Sequence, residues 1–201
     1  GKVYKVVKYA VDVTEAKTLS ANHEAQIEAI NRSQAVIEFD LNGNILTANE
    51  NFLGAVGYSL NEIRGQHHSM FVLPGVAQSR EYSDFWFKLK QGEFQTGEFN
   101  RVTKGGKEIW IQASYNPIRG SNGQPTKIVK YAYDITATKN MQLGVEKLVA
   151  ELSDVMNAMA EGDLTKKISG NYDEKFDDLT KNVNVTIDRL IQVARSIRGS
   201  A

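Results

Sequence analysis

The stretch of the chain from residue 31 to residue 139 constrains the fold more than any other part. Apolar runs at its two ends, Ala35–Phe39 and Lys127–Ile135, are typical of β-strands. Between them lie a short run with helical spacing and two long segments in which apolar and polar residues alternate. Strands, then helices, then strands again predict an α+β fold.

The first two strands are predicted to pair as a hairpin. Residues 40–44, Asp-Leu-Asn-Gly-Asn, place turn-forming residues between two apolar runs, and Asn and Gly tolerate the positive φ angles of tight turns. Phe52, Leu53 and Val56 follow at helical spacing. Gly57 is predicted to end that helix, because a residue without a Cβ is favoured there.

A second, longer hairpin is predicted from residues 97–103 and 108–115, joined by the turn Lys-Gly-Gly-Lys at 104–107. Side chains alternate between the two faces of a strand. The face predicted to be apolar, and able to line a cavity, carries Ile109, Ile111, Ala113 and Tyr115.

Three strings carry a family resemblance: AVIEFDLNGNILTANENFLGAVGYSLNEIRGQ, FWFKLKQGEFQTGEFNRVTKGGKEIWIQASYNPI and KIVKYAYDITATK. Together they resemble a PAS domain with its C-terminal PAC segment, which we place at residues 34–139. The resemblance implies a five-stranded antiparallel sheet with flanking helices, and a pocket for a small ligand or cofactor.

An internal repeat connects the start of the chain with the end of this domain. Residues 1–17 align without gaps on residues 123–139, with a constant offset of 122 and nine identities. We interpret residues 1–17 as the last strand of a preceding PAS domain and residues 18–33 as a linker helix. Because the chain begins at Gly1 rather than Met, we expect it to be a piece of a longer protein.

After residue 139 the pattern is helical. Two helices with heptad seams are predicted around a connector at residues 166–172. Their seam residues are Val145, Leu148, Leu152, Val155 and Met159, then Phe176, Leu179, Val183, Ile187, Leu190, Ala194 and Ile197.

A plain helical hairpin would satisfy the heptads. The additional marks Gly162-Asp163-Leu164, Asp173-Glu174 and LTKNVNVTIDRL resemble a HAMP domain, which we place at residues 140–198. An all-α helical pair of this kind implies a parallel four-helix bundle in a homodimer.

The order of PAS and HAMP resembles the sensor half of a methyl-accepting chemotaxis protein, particularly the soluble kind with two PAS domains. The resemblance implies signal relay through Asp134 and Thr136 at the end of the PAS domain, and through Gly162, Asp163 and Glu174 in the HAMP domain. It implies a cytoplasmic location, in a parent that is soluble or membrane-attached, and a chemotaxis kinase and coupling protein as partners. The sensor region of a histidine kinase is an alternative parent. A dimerisation scaffold without a ligand is another.

Composition excludes several classes of function. Lys plus Arg and Asp plus Glu both number 24, so nothing indicates a nucleic-acid or membrane-surface partner. The absence of cysteine excludes disulfides and thiolate chemistry. The chain carries none of the hydrolase, phosphate-loop or zinc-protease motifs, so it is not predicted to be an enzyme. No metal site is predicted, because neighbouring histidines in one helix cannot readily bind the same ion.

The cofactor is left open between haem, FAD and none. In the resemblance, His67 and His68 border the PAS pocket, and some PAS sensors hold haem through a histidine there. For FAD the match is poorer, because Gln95 stands where an aromatic residue is expected and Arg101 where an Asn would bond the flavin. The candidate cofactor-binding residues are His67, His68, Phe85, Trp86, Ile109, Ile111 and Tyr115.

Overall fold

A computed structural model describes residues 1–2, 4–5 and 7–199. The chain divides into two compact units between Asp134 and Ile135, and each is described by itself. This division lies five residues before the domain boundary predicted from the sequence.

The first unit contains five strands and four α-helices among its described residues. The strands are β1 (Ala35–Phe39), β2 (Ile45–Ala48), β3 (Gln95–Val102), β4 (Glu108–Arg119) and β5 (Pro125–Asp134). The helices are α1 (Thr14–Ser33), α2 (Glu50–Val56), α3 (Leu60–Ile63) and α4 (Arg80–Lys90), with 3₁₀ turns at His68–Phe71 and Val76–Gln78.

The strands form one antiparallel sheet in the order β2-β1-β5-β4-β3. The predicted five-stranded α+β architecture and both predicted hairpins are confirmed. The strand that ends the unit, β5, lies in the centre of the sheet. Its register pairs Lys130 with Ile37 of β1 on one side and with Tyr115 of β4 on the other.

Short polar side chains fix the turns and helix starts. The carboxylate of Asp40 accepts the backbone N–H groups of Asn42 at 2.8 Å and Asn44 at 2.9 Å, which closes the turn between β1 and β2. Asn49 caps α2 by accepting the N–H of Phe52 at 3.0 Å. Gly57 follows this helix with φ of 75°, as the sequence predicts.

The N-terminal segment differs from the prediction. No strand forms among the described residues before Thr14, and α1 begins there rather than at residue 18. The described residues of this segment are exposed. A lone strand cannot pair its backbone groups without a neighbouring strand, and those of its own predicted domain are absent. The origin of residues 1–17 in a preceding PAS domain stays a prediction.

One face of the sheet and the helices that cover it enclose the core of the first unit. Phe39, Ile37, Ile128 and Tyr115 are fully buried in it. Their positions follow the alternation of strand residues, and α2 and α4 add Phe52, Leu53, Val56, Trp86 and Leu89.

The second unit consists of two long helices, α5 (Thr136–Ala160) and α6 (Asp177–Gly199), with a 3₁₀ turn at Glu174–Phe176. Its core is built on Leu148, Val155, Ile168 and Ile187. Ile168 comes from the connector between the helices. The backbone N–H of Ile168 donates to Asn184 Oδ1 at 2.9 Å, and its carbonyl accepts from Asn184 Nδ2 at 2.9 Å. These two hydrogen bonds attach the connector to α6.

Glu151 of α5 holds the other side of the connector. Its carboxylate accepts the N–H of Ser169 at 2.9 Å, the N–H of Gly170 at 3.3 Å, and the hydroxyls of Ser169 and Tyr172. The hydrogen bond from Tyr172, with those from Ser169 and Gly170, lowers the pKa of Glu151 to about 2. The contribution of Glu151 to stability is therefore present above its ordinary pKa of 4.5 and is lost as the pH falls towards 2.

Replacing Glu151 by alanine is expected to destabilise the second unit by about 1–3 kcal/mol at neutral pH, because hydrogen bonds to a charged acceptor are lost. Hydrogen–deuterium exchange of α5, α6 and the connector measures this effect separately from the first unit. Asp154→Ala is the matched control, since Asp154 is an exposed acidic residue of the same helix. Equal protection in the two variants would contradict the assigned role of Glu151.

Candidate functional site

The centre of the first unit is polar as well as apolar. His68 is fully buried, and both of its ring nitrogens have hydrogen-bond partners. Nδ1 lies 2.8 Å from the hydroxyl of Tyr82, and Nε2 lies 3.0 Å from the hydroxyl of Tyr115. Three elements therefore meet at the His68 imidazole: helix α4, strand β4 and the 3₁₀ turn that begins at His68.

Two cations lie beside this group. Arg101 of β3 is 7% exposed and donates from Nη2 to the Tyr115 hydroxyl at 3.2 Å and from Nη1 to the Asn100 carbonyl at 2.7 Å. Lys130 of β5 is 1% exposed, and its Nζ lies 5.1 Å from the centre of the Tyr115 ring and 5.4 Å from that of Phe52. Among the described residues, neither cation forms an ion pair with a carboxylate.

Burial and these charges set the protonation of the cluster. Burial lowers the pKa of His68 well below its ordinary value, and Arg101 and Lys130 lower it further, so the imidazole is neutral. Burial also lowers the pKa of Lys130. Burial alone would raise the pKa of Tyr115, but Lys130 and Arg101 outweigh it and the net shift is downward.

The residues present do not fit a haem or a flavin. The enclosed space beside Arg101, Lys130, Ile109 and Ile111 has a volume of about 20 Å³, which is room for one water molecule. Neither nitrogen of His68 is free to bind iron. His67 has Nδ1 at 2.9 Å from the hydroxyl of Ser69, and its Nε2 packs against Gly43, where an added Cβ would lie only 2.7 Å away. Among the described residues, no cluster of His, Asp and Glu could hold a metal ion.

The predicted pocket residues come together, but they fill the interior. The ring of Phe85 lies 4.9 Å from that of Tyr115, and the ring of Trp86 lies 5.4 Å from that of His68. His67 lies outside this group and packs against Trp86 at 6.0 Å.

Sequence reasoning missed Lys130 and Tyr82 as members of the cluster and considered Arg101 only as a mismatch for flavin. The alternation in β5 was the available signal for Lys130. Ile128 and Ala132 face the core, and Lys130 stands between them at the same two-residue period.

The predicted relay residues lie at the ends of elements. Asp134 is the last residue of β5, in register with Ile111 of β4, and Thr136 is the first residue of α5. Gly162 follows α5 with φ of 84°. The carboxylate of Asp163 accepts the N–H of Thr165 at 2.8 Å and its hydroxyl at 2.6 Å. Glu174 begins the 3₁₀ turn before α6.

Comparison with family models gives two matches. Residues 45–132 match the PAS fold, and residues 145–192 match the HAMP domain. The chain is therefore a PAS-fold domain followed by a HAMP domain, with the helical pair α5 and α6 in the place of the HAMP helices.

Relatives share this region. The chain is 41% identical over 136 residues to the biofilm dispersion protein BdlA of Pseudomonas aeruginosa, in an alignment that covers 68% of the chain and 33% of that protein. It is 35% identical over 79 residues to the aerotaxis receptor of Escherichia coli, covering 39% of the chain and 15% of that protein. The chain thus spans about a third of the length of one relative and less of the other.

A solved structure supports the fold of the first unit. The PAS domain of a protein from Colwellia psychrerythraea superposes with a TM-score of 0.51 at 28% identity, covering 58% of the chain and 98% of that domain. In the part of the chain that the structure describes, no helix combines the length and apolar character needed to cross a membrane.

Proposed function

We propose that this chain is a sensory transducer in which a small ligand, or a change of oxygen or redox state, alters the PAS core and the HAMP helices carry the change onward. The observation that carries the proposal is the position of β5. This strand contributes Lys130 to the buried cluster and ends four residues later at Asp134, directly before α5. A change around Lys130 therefore acts on the strand that continues into the HAMP domain.

We propose that the HAMP helices have the property that a switch needs, which is more than one way to pack. Within one protomer α6 packs Val183 and Ile187 in the core of the unit, together with Phe176 of the preceding 3₁₀ turn. Other residues of the same predicted seam are left in water: Leu179, Leu190, Ala194 and Ile197. We propose that a second copy covers them in a parallel four-helix bundle.

Leu190 and Leu152 lie on the two predicted seams, and replacing each by aspartate is expected to have a different effect. Leu190 is 41% exposed in the protomer, whereas Leu152 packs against the core of the HAMP unit. Leu190→Asp is expected to weaken the dimer about ten-fold or more while the helices persist, because it places a carboxylate in the interface. Leu152→Asp is expected to disturb the unit as well. Sedimentation velocity of the two variants and of the exposed-site control Gln192→Glu, which adds a carboxylate outside the predicted seam of α6, measures this.

The proposed dimer makes one further demand on that measurement. The unsubstituted chain must sediment as a dimer at micromolar concentration. A monomer, or a dimer that persists in Leu190→Asp, would contradict the bundle.

The similarity to an aerotaxis receptor favours chemotaxis as the output. We propose that the complete protein acts without an enzymatic activity of this region, through a chemotaxis kinase and a coupling protein, and that the region lies in the cytoplasm where that kinase would meet it. A histidine kinase sensor is the second candidate, since PAS and HAMP domains also precede kinase cores. A scaffold without a ligand would use the same dimer contacts but would not respond at β5.

A further inference from the structure

A second cavity of the PAS domain opens beside the buried cluster. Its volume is about 260 Å³, which is just below the usual range of about 300–1,000 Å³ for ligand pockets. It lies between α4, the segment before it, and β3. Its walls are mostly apolar and are formed by Val72, Val76, Tyr82, Phe85 and Phe99, with Arg101 as the cationic member.

Arg101 has unused capacity to bind an anion. It is buried, and its Nε has no hydrogen-bond partner in the protein. Its guanidinium lies 4.8 Å from the centre of the Phe99 ring, another wall of the cavity. A guanidinium offers five donors in a fork that matches a carboxylate, and those of Arg101 reach only a backbone carbonyl and a phenol.

Lys130 adds to the positive charge behind this wall. Arg101 and Lys130 both lie against Tyr115, and neither is paired with a carboxylate among the described residues. Buried charges in proteins are usually paired, because an unpaired charge in a low-dielectric interior is costly. Arg101 and Lys130 therefore lie in the interior, and no carboxylate of the described residues is paired with either of them.

We propose that this cavity binds a small organic monoanion, an aromatic or branched aliphatic carboxylate, with its carboxylate on Arg101 and its apolar part against Val76, Phe85 and Phe99. The inference rests on the proposed sensory function and names the ligand class for it. A volume of about 260 Å³ favours a ligand smaller than a nucleotide or a haem, and the apolar walls disfavour a highly hydroxylated acid. The carboxylate of Glu81 at the same cavity disfavours a second negative charge on the ligand.

Such a ligand would act on the strand that leaves the domain. A carboxylate at Arg101 competes with the hydroxyl of Tyr115 for the guanidinium. Tyr115 is in register with Lys130 of β5, so a shift of Tyr115 reaches the central strand directly. Binding would thus change the contacts of β5 four residues before Asp134.

Benzoate and its neutral analogue benzamide are the probes. The two tryptophans, Trp86 and Trp110, both lie in the PAS domain, so tryptophan fluorescence during thermal unfolding reports this domain. We expect benzoate to raise the midpoint in a saturable way at millimolar concentration or below, as is usual for a ligand of about nine heavy atoms. Benzamide is expected to have at least about ten-fold weaker effect, because it lacks the charge that Arg101 pairs with.

Two variants locate the site. Arg101→Gln is expected to weaken benzoate binding at least about ten-fold, and Arg64→Gln, at an exposed arginine, is expected to leave it unchanged. If Arg101→Gln does not fold, Val76→Phe adds bulk to a wall of the cavity, keeps the two native tryptophans as the reporter and should abolish binding. Unweakened binding of benzoate by Arg101→Gln, or by the Val76 variant if Arg101→Gln does not fold, would overturn the proposal, and so would a lack of saturable binding by the unsubstituted chain.

The outcome is distinguishable from a failure of the proposed function. Benzoate binding concerns the PAS domain alone, whereas the relay from β5 to the HAMP helices is tested without any ligand by substitution at Asp134. If benzoate does not bind but substitution at Asp134 still alters the HAMP helices, the proposed ligand class is wrong and the proposed transducer function stands.

Discussion

Replacing Phe39 by alanine is expected to lower the free energy of unfolding of the PAS domain by about 3–5 kcal/mol, the range for removing a buried aromatic side chain. Phe39 is fully buried, and its ring lies 5.4 Å from that of His68 and 5.7 Å from that of Trp86. Its removal leaves a cavity at the point where β1 meets the polar cluster. Since domains are stable by only about 5–15 kcal/mol, the loss is a large share of the total.

Denaturant unfolding followed by tryptophan fluorescence measures this effect in the PAS domain. Phe94→Ala is the matched control, because Phe94 is 66% exposed and exposed substitutions usually change stability by no more than about 0.5 kcal/mol. Similar midpoints for the two variants would contradict the packing described for Phe39.

Acidification is expected to destabilise the PAS domain through His68. In the folded protein the pKa of His68 is held well below 6.5 by burial and by the charges of Arg101 and Lys130. The unfolded chain takes up a proton near pH 6.5, so the full stability is present above that pH and falls as the pH drops below it. The slope reaches about 1.4 kcal/mol per pH unit until the folded pKa is passed.

The His68→Gln variant isolates this effect. Gln retains a donor and an acceptor for Tyr82 and Tyr115, so we expect a lower stability at pH 7 but a much flatter profile between about pH 5 and 6.5. His23→Gln, at an exposed position of α1, should keep the profile of the unsubstituted chain. Carboxylates also lose stabilising interactions at more acidic pH. For Asp40, burial alone would raise the pKa, but the hydrogen bonds from Asn44 and Asn42 outweigh it and the net shift is downward. An unchanged slope in His68→Gln would contradict the neutral buried imidazole.

The fold of the PAS domain could be predicted because its signals are local. Turn residues at 40–44 and 104–107 separate the strands, and a period of two along β4 identifies the face that carries Ile109, Ile111 and Tyr115. The lack of a strand among the described residues before Thr14 could not be predicted in the same way. A strand exists only with a partner, and the sequence of residues 1–17 does not contain one.

The charged interior could be predicted only in part, because the two-residue period of β5 places Lys130 on the core face while its residue type argues against burial. Lys and Arg are rarely fully buried, so Lys130 within an apolar strand is more naturally interpreted as an edge or surface residue. Its burial depends on the central place of β5, which is a property of the whole sheet. The sequence did indicate His68, Phe85 and Trp86, but as walls of a cofactor pocket. Tyr82, Tyr115, Arg101 and Lys130 bond or surround His68 instead, and leave no room for a haem.

The division of the HAMP seams is also a tertiary effect. The heptads place Ile187 and Leu190 on the same predicted seam, yet Ile187 is fully buried and Leu190 remains exposed. In a four-helix bundle the apolar seam of each helix packs against the other three helices. Within one protomer, α5 alone covers only part of the α6 seam. A heptad pattern shows that residues will be buried and does not show which copy of the chain buries them.

We propose that the PAS domain controls the packing of parallel HAMP helices through the Asp134–Thr136 junction. Because the chain has no cysteine, a spin label at Lys181→Cys or Gln192→Cys on α6 is unique in each protomer, and pulsed electron paramagnetic resonance measures the distance between the two copies. A parallel bundle predicts a short, narrow distance for each site paired with itself, and a longer one when protomers labelled at different sites are mixed, since the sites lie about 16 Å apart along the helix.

The decisive measurement repeats this in Asp134→Ala. We expect a changed distance distribution in the HAMP domain, with unaltered tryptophan fluorescence and an unaltered unfolding midpoint of the PAS domain. The matched control is Asp12→Ala, which removes the equivalent aspartate of the internal repeat, ahead of α1. A distribution that is the same in Asp134→Ala as in the unsubstituted chain would contradict the proposed relay, and a lack of coupling between labels at either site would contradict the parallel bundle.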